Sequence, residues 1–135
     1  MKNKIAIITL LMFIGTTAFS QSKMQSWKEL KDFHMVMSQT FHPSEEGNLE
    51  PIKTRATEMK EKATALAESK IPAEFDNAKV KAAVTKLKDG TITMEKMVAD
   101  KSSDKDITNQ LISLHDSFHE IVGLCKDEDH SEPKK

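Results

Sequence analysis

Apolar residues return along most of this chain at steps of three and four, the period that lays them along one side of an α-helix. Trp27, Leu30, Phe33, Met37 and Phe41 form the first such stripe, over Ser22 to Phe41, and Pro43 is expected to end it. After the polar turn Ser44 to Gly47, Asn48 can cap a second helix from Leu49 to Ser69. Pro51 is tolerated in its first turn, and its stripe is thinner: Ile52, Met59, Ala63 and Leu66. Ile71-Pro72 breaks that helix, because the residue before a proline is pushed out of helical geometry. A third helix begins near Ala73 and carries Val80, Ala83, Val84 and Leu87. Gly90 with the β-branched Thr91, Ile92 and Thr93 predicts a kink or break before Met94, Met97 and Val98. Ser103 or Asp104 caps a fourth helix, which runs through Ile107, Leu111, Leu114, Phe118 and Ile121 or Val122 to about Cys125.

Four helices with short links predict an all-α fold, an antiparallel up-down-up-down four-helix bundle over residues 21–126 in which the first and fourth helices are neighbours. Two segments flank it. Residues 1–20 read as a secretory signal peptide: Lys2 and Lys4 make a basic start, Ile5 to Ile14 an apolar run, and Ala18-Phe19-Ser20 a small-residue end cut before Gln21. That run falls short of the ~20 residues a membrane span requires, so the expectation is export to the periplasm with no stable membrane anchor after cleavage. Residues 127–135 read as a charged, disordered tail.

Charge and composition narrow the function classes. With 20 basic and 21 acidic residues interspersed, the chain shows no basic face for nucleic acid. No tyrosine, one tryptophan and four each of glycine and proline mark a helical composition. Cys125 is the only cysteine, so it is a buried thiol, an intermolecular bridge or a ligand. There is no Gly-rich phosphate loop and no pair of Glu-x-x-His motifs for a di-iron centre, and the neighbours His115 and Asp116 point in different directions on a helix. No enzyme is expected.

The histidines carry the candidate chemistry. Four of the five lie in two similar neighbourhoods, Phe33-His34 to Phe41-His42 and His115 to Phe118-His119. His115 and His119 share one side of their helix, one turn apart. With flush helix ends and a rise of about 1.5 Å per residue, His34 is expected level with His115. The functional reading is a transition-metal site of His34, His115 and His119 for copper or zinc. Glu58 or Met59 would complete the coordination, and Met35, Met37 and Met59 tilt the preference toward copper. His42, roughly 12 Å above His34, would form a second site with Glu45 or Glu46. The competing reading makes each histidine an ordinary hydrogen-bonded helix residue. On it the methionines are packing, Cys125 is a small hydrophobe, Trp27 and the phenylalanines are core, and Lys60-Glu61-Lys62 is a solvated face.

A signal peptide, four helices and Ser117-Phe118-His119 late in the last one resemble the exported four-helix-bundle cytochromes, of the soluble cytochrome b type and more distantly cytochrome c′. That resemblance implies haem b between His119 and His34 or the neighbouring Met35 or Met37. The chain has no Cys-x-x-Cys-His, so the covalent haem of the c type is excluded. The expected function is a non-catalytic, periplasmic metal-binding bundle, with a metal ion and a periplasmic redox or metal-transfer protein as partners. The alternatives are a b-type haem electron carrier and a cofactor-free interaction or stress-response bundle.

Overall fold

The structure, a computed structural model, describes residues 26–127, which form four α-helices, one short 3₁₀ turn and no strand. The expected signal peptide and residues 128–135 of the expected tail lie outside the described residues. The helices are α1 (Lys28–Glu45), α2 (Glu50–Glu68), α3 (Ala78–Ala99) and α4 (Asp104–Asp127), with the 3₁₀ turn Ala73–Phe75 before α3. Among the described residues no helix is long and apolar enough to cross a membrane.

Each boundary has a local chemical cause, and two differ from expectation. Pro43 sits inside α1 rather than ending it. Pro43 gives up the bond to the Gln39 carbonyl without stopping the helix, and the stop comes four residues later at Gly47, whose φ is +82°. Gly47 N–H donates to the Ser44 carbonyl at 3.0 Å and Asn48 N–H to the Pro43 carbonyl at 3.0 Å, the paired bonds of a Schellman cap. Asn48 then turns toward α2, its Oδ1 accepting from Glu50 N–H at 3.1 Å. α3 starts later than Ala73, at Ala78, because Asn77 Oδ1 accepts from Val80 N–H at 2.9 Å and sets the first turn. Ser103 Oγ does the same for Asp106 N–H at 3.1 Å at the start of α4.

Gly90 differs from expectation too, since α3 continues through it without a break. A Cβ there would lie 2.6 Å from Leu114 Cδ2, so the glycine exists for the close approach of α4 rather than for flexibility. Gln110 Nε2 donates to the Gly90 carbonyl at 2.9 Å, and Thr91 and Thr93 turn their hydroxyls back onto Lys88 and Asp89.

One apolar core joins all four helices, with Trp27, Phe33, Met37, Ile52, Met59, Leu66, Phe75, Leu87, Met94 and Leu111 among its fully buried members. Trp27 closes one end. Its Nε1–H donates to Ser69 Oγ at 2.8 Å, and its ring stacks on Phe75 of the 3₁₀ turn at 6.5 Å, so the start of α1 meets the end of α2. A buried ring of this size contributes about 3–5 kcal/mol relative to alanine. Helices adjacent in sequence pack closely, while α4 meets α1 along a much sparser seam. The residues explain this. α2 and α3 bury small side chains at Ala56, Ala63, Ala83 and Thr91, and Gly90 lets α4 onto α3. α1 and α4 instead interpose rings: Phe33 meets Phe118 at 5.9 Å and Phe41 meets His115 at 3.8 Å. That ring-filled seam holds the histidines.

Candidate metal centre

His34 and His42 are eight residues apart on α1, and His115 and His119 four apart on α4, so each pair lies on one side of its helix. The Phe-His doublets then interlock across the seam. The His34 imidazole lies flat on the Phe118 ring, 5.1 Å between centroids and 3° between planes. The His115 imidazole lies flat on Phe41 at 3.8 Å and 4°. Each stack of this kind is worth about 0.5–1.5 kcal/mol beyond the area it buries. The stacks also fix the register. His34 is level with Phe118, three residues beyond His115, and His115 is opposite Phe41, seven residues beyond His34. The expectation took the end of α1 as flush with the start of α4, whereas the stacked rings across the seam set the offset.

The free edges of the rings converge. His115 Nε2 and His119 Nε2 are 3.1 Å apart, with a proton on one nitrogen donated to the other. His34 and His42 open on the same small cleft, between Phe41 and Phe118. Met37 and Ser38 complete its wall, Met37 buried beneath it. The cleft holds about 30 Å³, room for one ion or one or two waters. A porphyrin does not fit there without parting both stacks. His42, expected at a separate site, therefore belongs to this cleft, while its Nδ1 lies 3.1 Å from Glu45 Oε2 as the second-site reading supposed.

The other candidates lie elsewhere. Glu58 is held by Arg55, whose Nε and Nη2 donate to its two oxygens at 2.7 and 3.1 Å, and Arg55 Nη1 also donates to Gln39 at 2.8 Å. This fork holds the Glu58 carboxyl below the usual carboxylate range, and Glu58 does not line the cleft. Met59 is fully buried in the core, Met35 is exposed, and the buried thiol of Cys125 lies six residues beyond His119 on α4. Glu46 does not line the cleft either. Among the described residues no three His, Cys, Asp or Glu side chains are yet close enough together to hold an ion.

Electrostatics favour the neutral form of two of the imidazoles, His34 and His115. Burial pushes the His34 ring below the ordinary imidazole value, and the nearby His119 and His42 rings add to the effect. His115 moves the same way, first through burial and then through His119, against a smaller upward pull from Asp116 and Glu45. A neutral imidazole has a lone pair to give, so a low proton affinity favours a metal ion in competition with the proton.

Phe41 and Phe118 are the functional side chains that a search for ligands overlooks, since they bind nothing and orient everything. Their signal in the sequence is the repeated Phe-His doublet. Comparison with protein-family models, with curated proteins and with solved structures finds no match for this chain. The likeness to the four-helix cytochromes rests on the residues that suggested it.

Proposed function

We propose that this chain is a non-catalytic, exported four-helix bundle of up-down-up-down topology that binds a transition-metal ion, copper or zinc, at the histidine cluster between α1 and α4. The topology is supported by Trp27 at the start of α1 with Ser69 at the end of α2, which sets those two antiparallel, and by Lys53 near the start of α2 with Asp104 at the start of α4, which sets those two parallel. Export is supported by the pattern of residues 1–20.

The observation that carries the metal reading is the 3.1 Å between His115 Nε2 and His119 Nε2. Two nitrogens each about 2.0–2.1 Å from one ion are about 2.9 Å apart at a right angle and about 3.3 Å apart at the tetrahedral angle. The observed spacing lies between these, so one ion can reach both nitrogens once each ring turns its lone pair off the N–N line toward it. A third ligand then comes from α1, whose His34, Met37 and His42 all line the cleft.

Titration of the purified protein with copper and with zinc tests this. Tight binding is expected for the wild type and its loss for the His115→Ala/His119→Ala double variant. Absence of tight binding, or binding that survives the double substitution, overturns the reading. The imidazole-on-phenyl stacks favour one second reading, a cofactor-free interaction bundle in which the rings only seal the seam. On that reading neither metal shifts the melting temperature, because only a ligand of the folded state raises it.

A further inference from the structure

Resting on the metal reading, the cleft also discriminates between ions. Four imidazoles line the cleft, Ser38 offers a hydroxyl, and no carboxylate lines it, since Glu45 reaches only the outer edge of His42. Hard cations that seek carboxylate and carbonyl oxygen have nothing to hold them. The remaining donor is sulfur. Of the three methionines near these segments, Met35 is 54% exposed and Met59 is buried away from the cleft, but Met37 is 1% exposed and forms part of its wall. Its unbranched side chain lets the thioether turn toward the Nε2 pair without moving the helix.

We propose that the ion is copper, taken in its cuprous state by His115, His119 and the Met37 thioether in preference to zinc. Two physical reasons favour the monovalent ion. The donors are neutral, so the complex keeps the full charge of the ion in a ring-lined cleft, and the desolvation penalty rises with the square of that charge. The donor set also includes sulfur. Zinc takes four ligands of nitrogen, oxygen or anionic sulfur in its closed sites, whereas a thioether is a soft donor that selects Cu(I).

The experiment uses the full chain with Cys125→Ser, so that the only sulfur ligands left are thioethers. Anaerobic competition titrations with Cu(I) and with Zn(II) are combined with X-ray absorption at the copper edge. The parent is expected to bind Cu(I) more tightly than Zn(II) and to show a sulfur scatterer. Met37→Leu is expected to lower Cu(I) affinity by at least about tenfold, to leave Zn(II) affinity unchanged and to remove the sulfur signal. Equal effects on both ions, no effect on either, or no sulfur around copper in the parent overturns the proposal. A parent that binds neither ion overturns the metal reading itself. If Met37→Leu does not fold, the parent spectrum decides alone, with the exposed Met35→Leu as the control that must keep the sulfur signal.

Discussion

Lys101 shows how one residue can work against an otherwise well-made turn. It links α3 to α4 at φ +54°, among the described residues the one non-glycine position in the left-handed region. Its N–H donates to the Val98 carbonyl at 3.2 Å and Ser102 N–H to the Met97 carbonyl at 2.9 Å, the same cap that Gly47 makes at the end of α1. A side chain with a Cβ costs about 1 kcal/mol in that conformation. Lys101→Gly is therefore expected to stabilise the fold by about 1 kcal/mol, less the entropy glycine adds to the unfolded chain. Chemical denaturation with an unchanged m-value checks it. At the cleft, the residue scale explains which of its side chains were legible in the sequence. The histidines were visible as donors, but a phenylalanine that holds an imidazole flat has no signature apart from its neighbour.

At the scale of the elements, close packing at one seam and looseness at another have the same origin, the size of the side chains between helices. Gly90 brings α3 and α4 together, and a β-branched side chain there meets Leu114 and forces the helices apart. Gly90→Val is expected to destabilise by about 2 kcal/mol, the overpacking penalty exceeding the small gain in helix propensity. Thermal unfolding of the variant measures this, and an unchanged melting temperature contradicts the account of Gly90. The glycine read as a kink from sequence because its packing partner, Leu114, is 24 residues away. Pro43 was misread for a related reason. A proline is a reliable breaker inside a helix, but in the final turn it removes only one bond, and the cap that ends α1 is made by Gly47 and Asn48.

For the whole molecule, the histidine seam couples stability to pH. His34 and His115 have their proton affinity lowered in the folded state, so the unfolded chain takes up protons first as pH falls. The stability tied to the neutral rings is fully present above the ordinary imidazole value of 6.5 and is lost as pH drops below it toward the lowered folded values. Asp32 and Glu58 are also held low, but their ordinary values of 3.8 and 4.5 place their contribution in a more acid range. Between pH 7.5 and 5 the wild type is expected to lose unfolding free energy, and the His34→Gln/His115→Gln variant to lose less of it. Parallel pH profiles contradict the assignment. On the proposed metal reading, a bound ion would act on the same seam in the opposite direction. An ion at about 100 times its dissociation constant adds about 2.7 kcal/mol, or roughly 10 °C or more in a domain of this size, and the His115→Ala/His119→Ala variant is expected to show none of that rise.

The period of the apolar residues was enough to determine the all-α class and four helices, because burying one side of each helix is a local demand that every few residues repeat. The Phe-His doublets likewise identified the two segments with chemistry to offer. The sequence left open where along α1 the histidines of α4 would fall, and that depended on which rings could stack across the sparse seam. Only the tertiary structure set His34 on Phe118 and His115 on Phe41, drew His42 into the same cleft, kept Glu58 with Arg55 and placed Met37 against the cleft. Each of those outcomes turns on contacts between residues distant in the chain, and no local pattern encodes the offset between two helices.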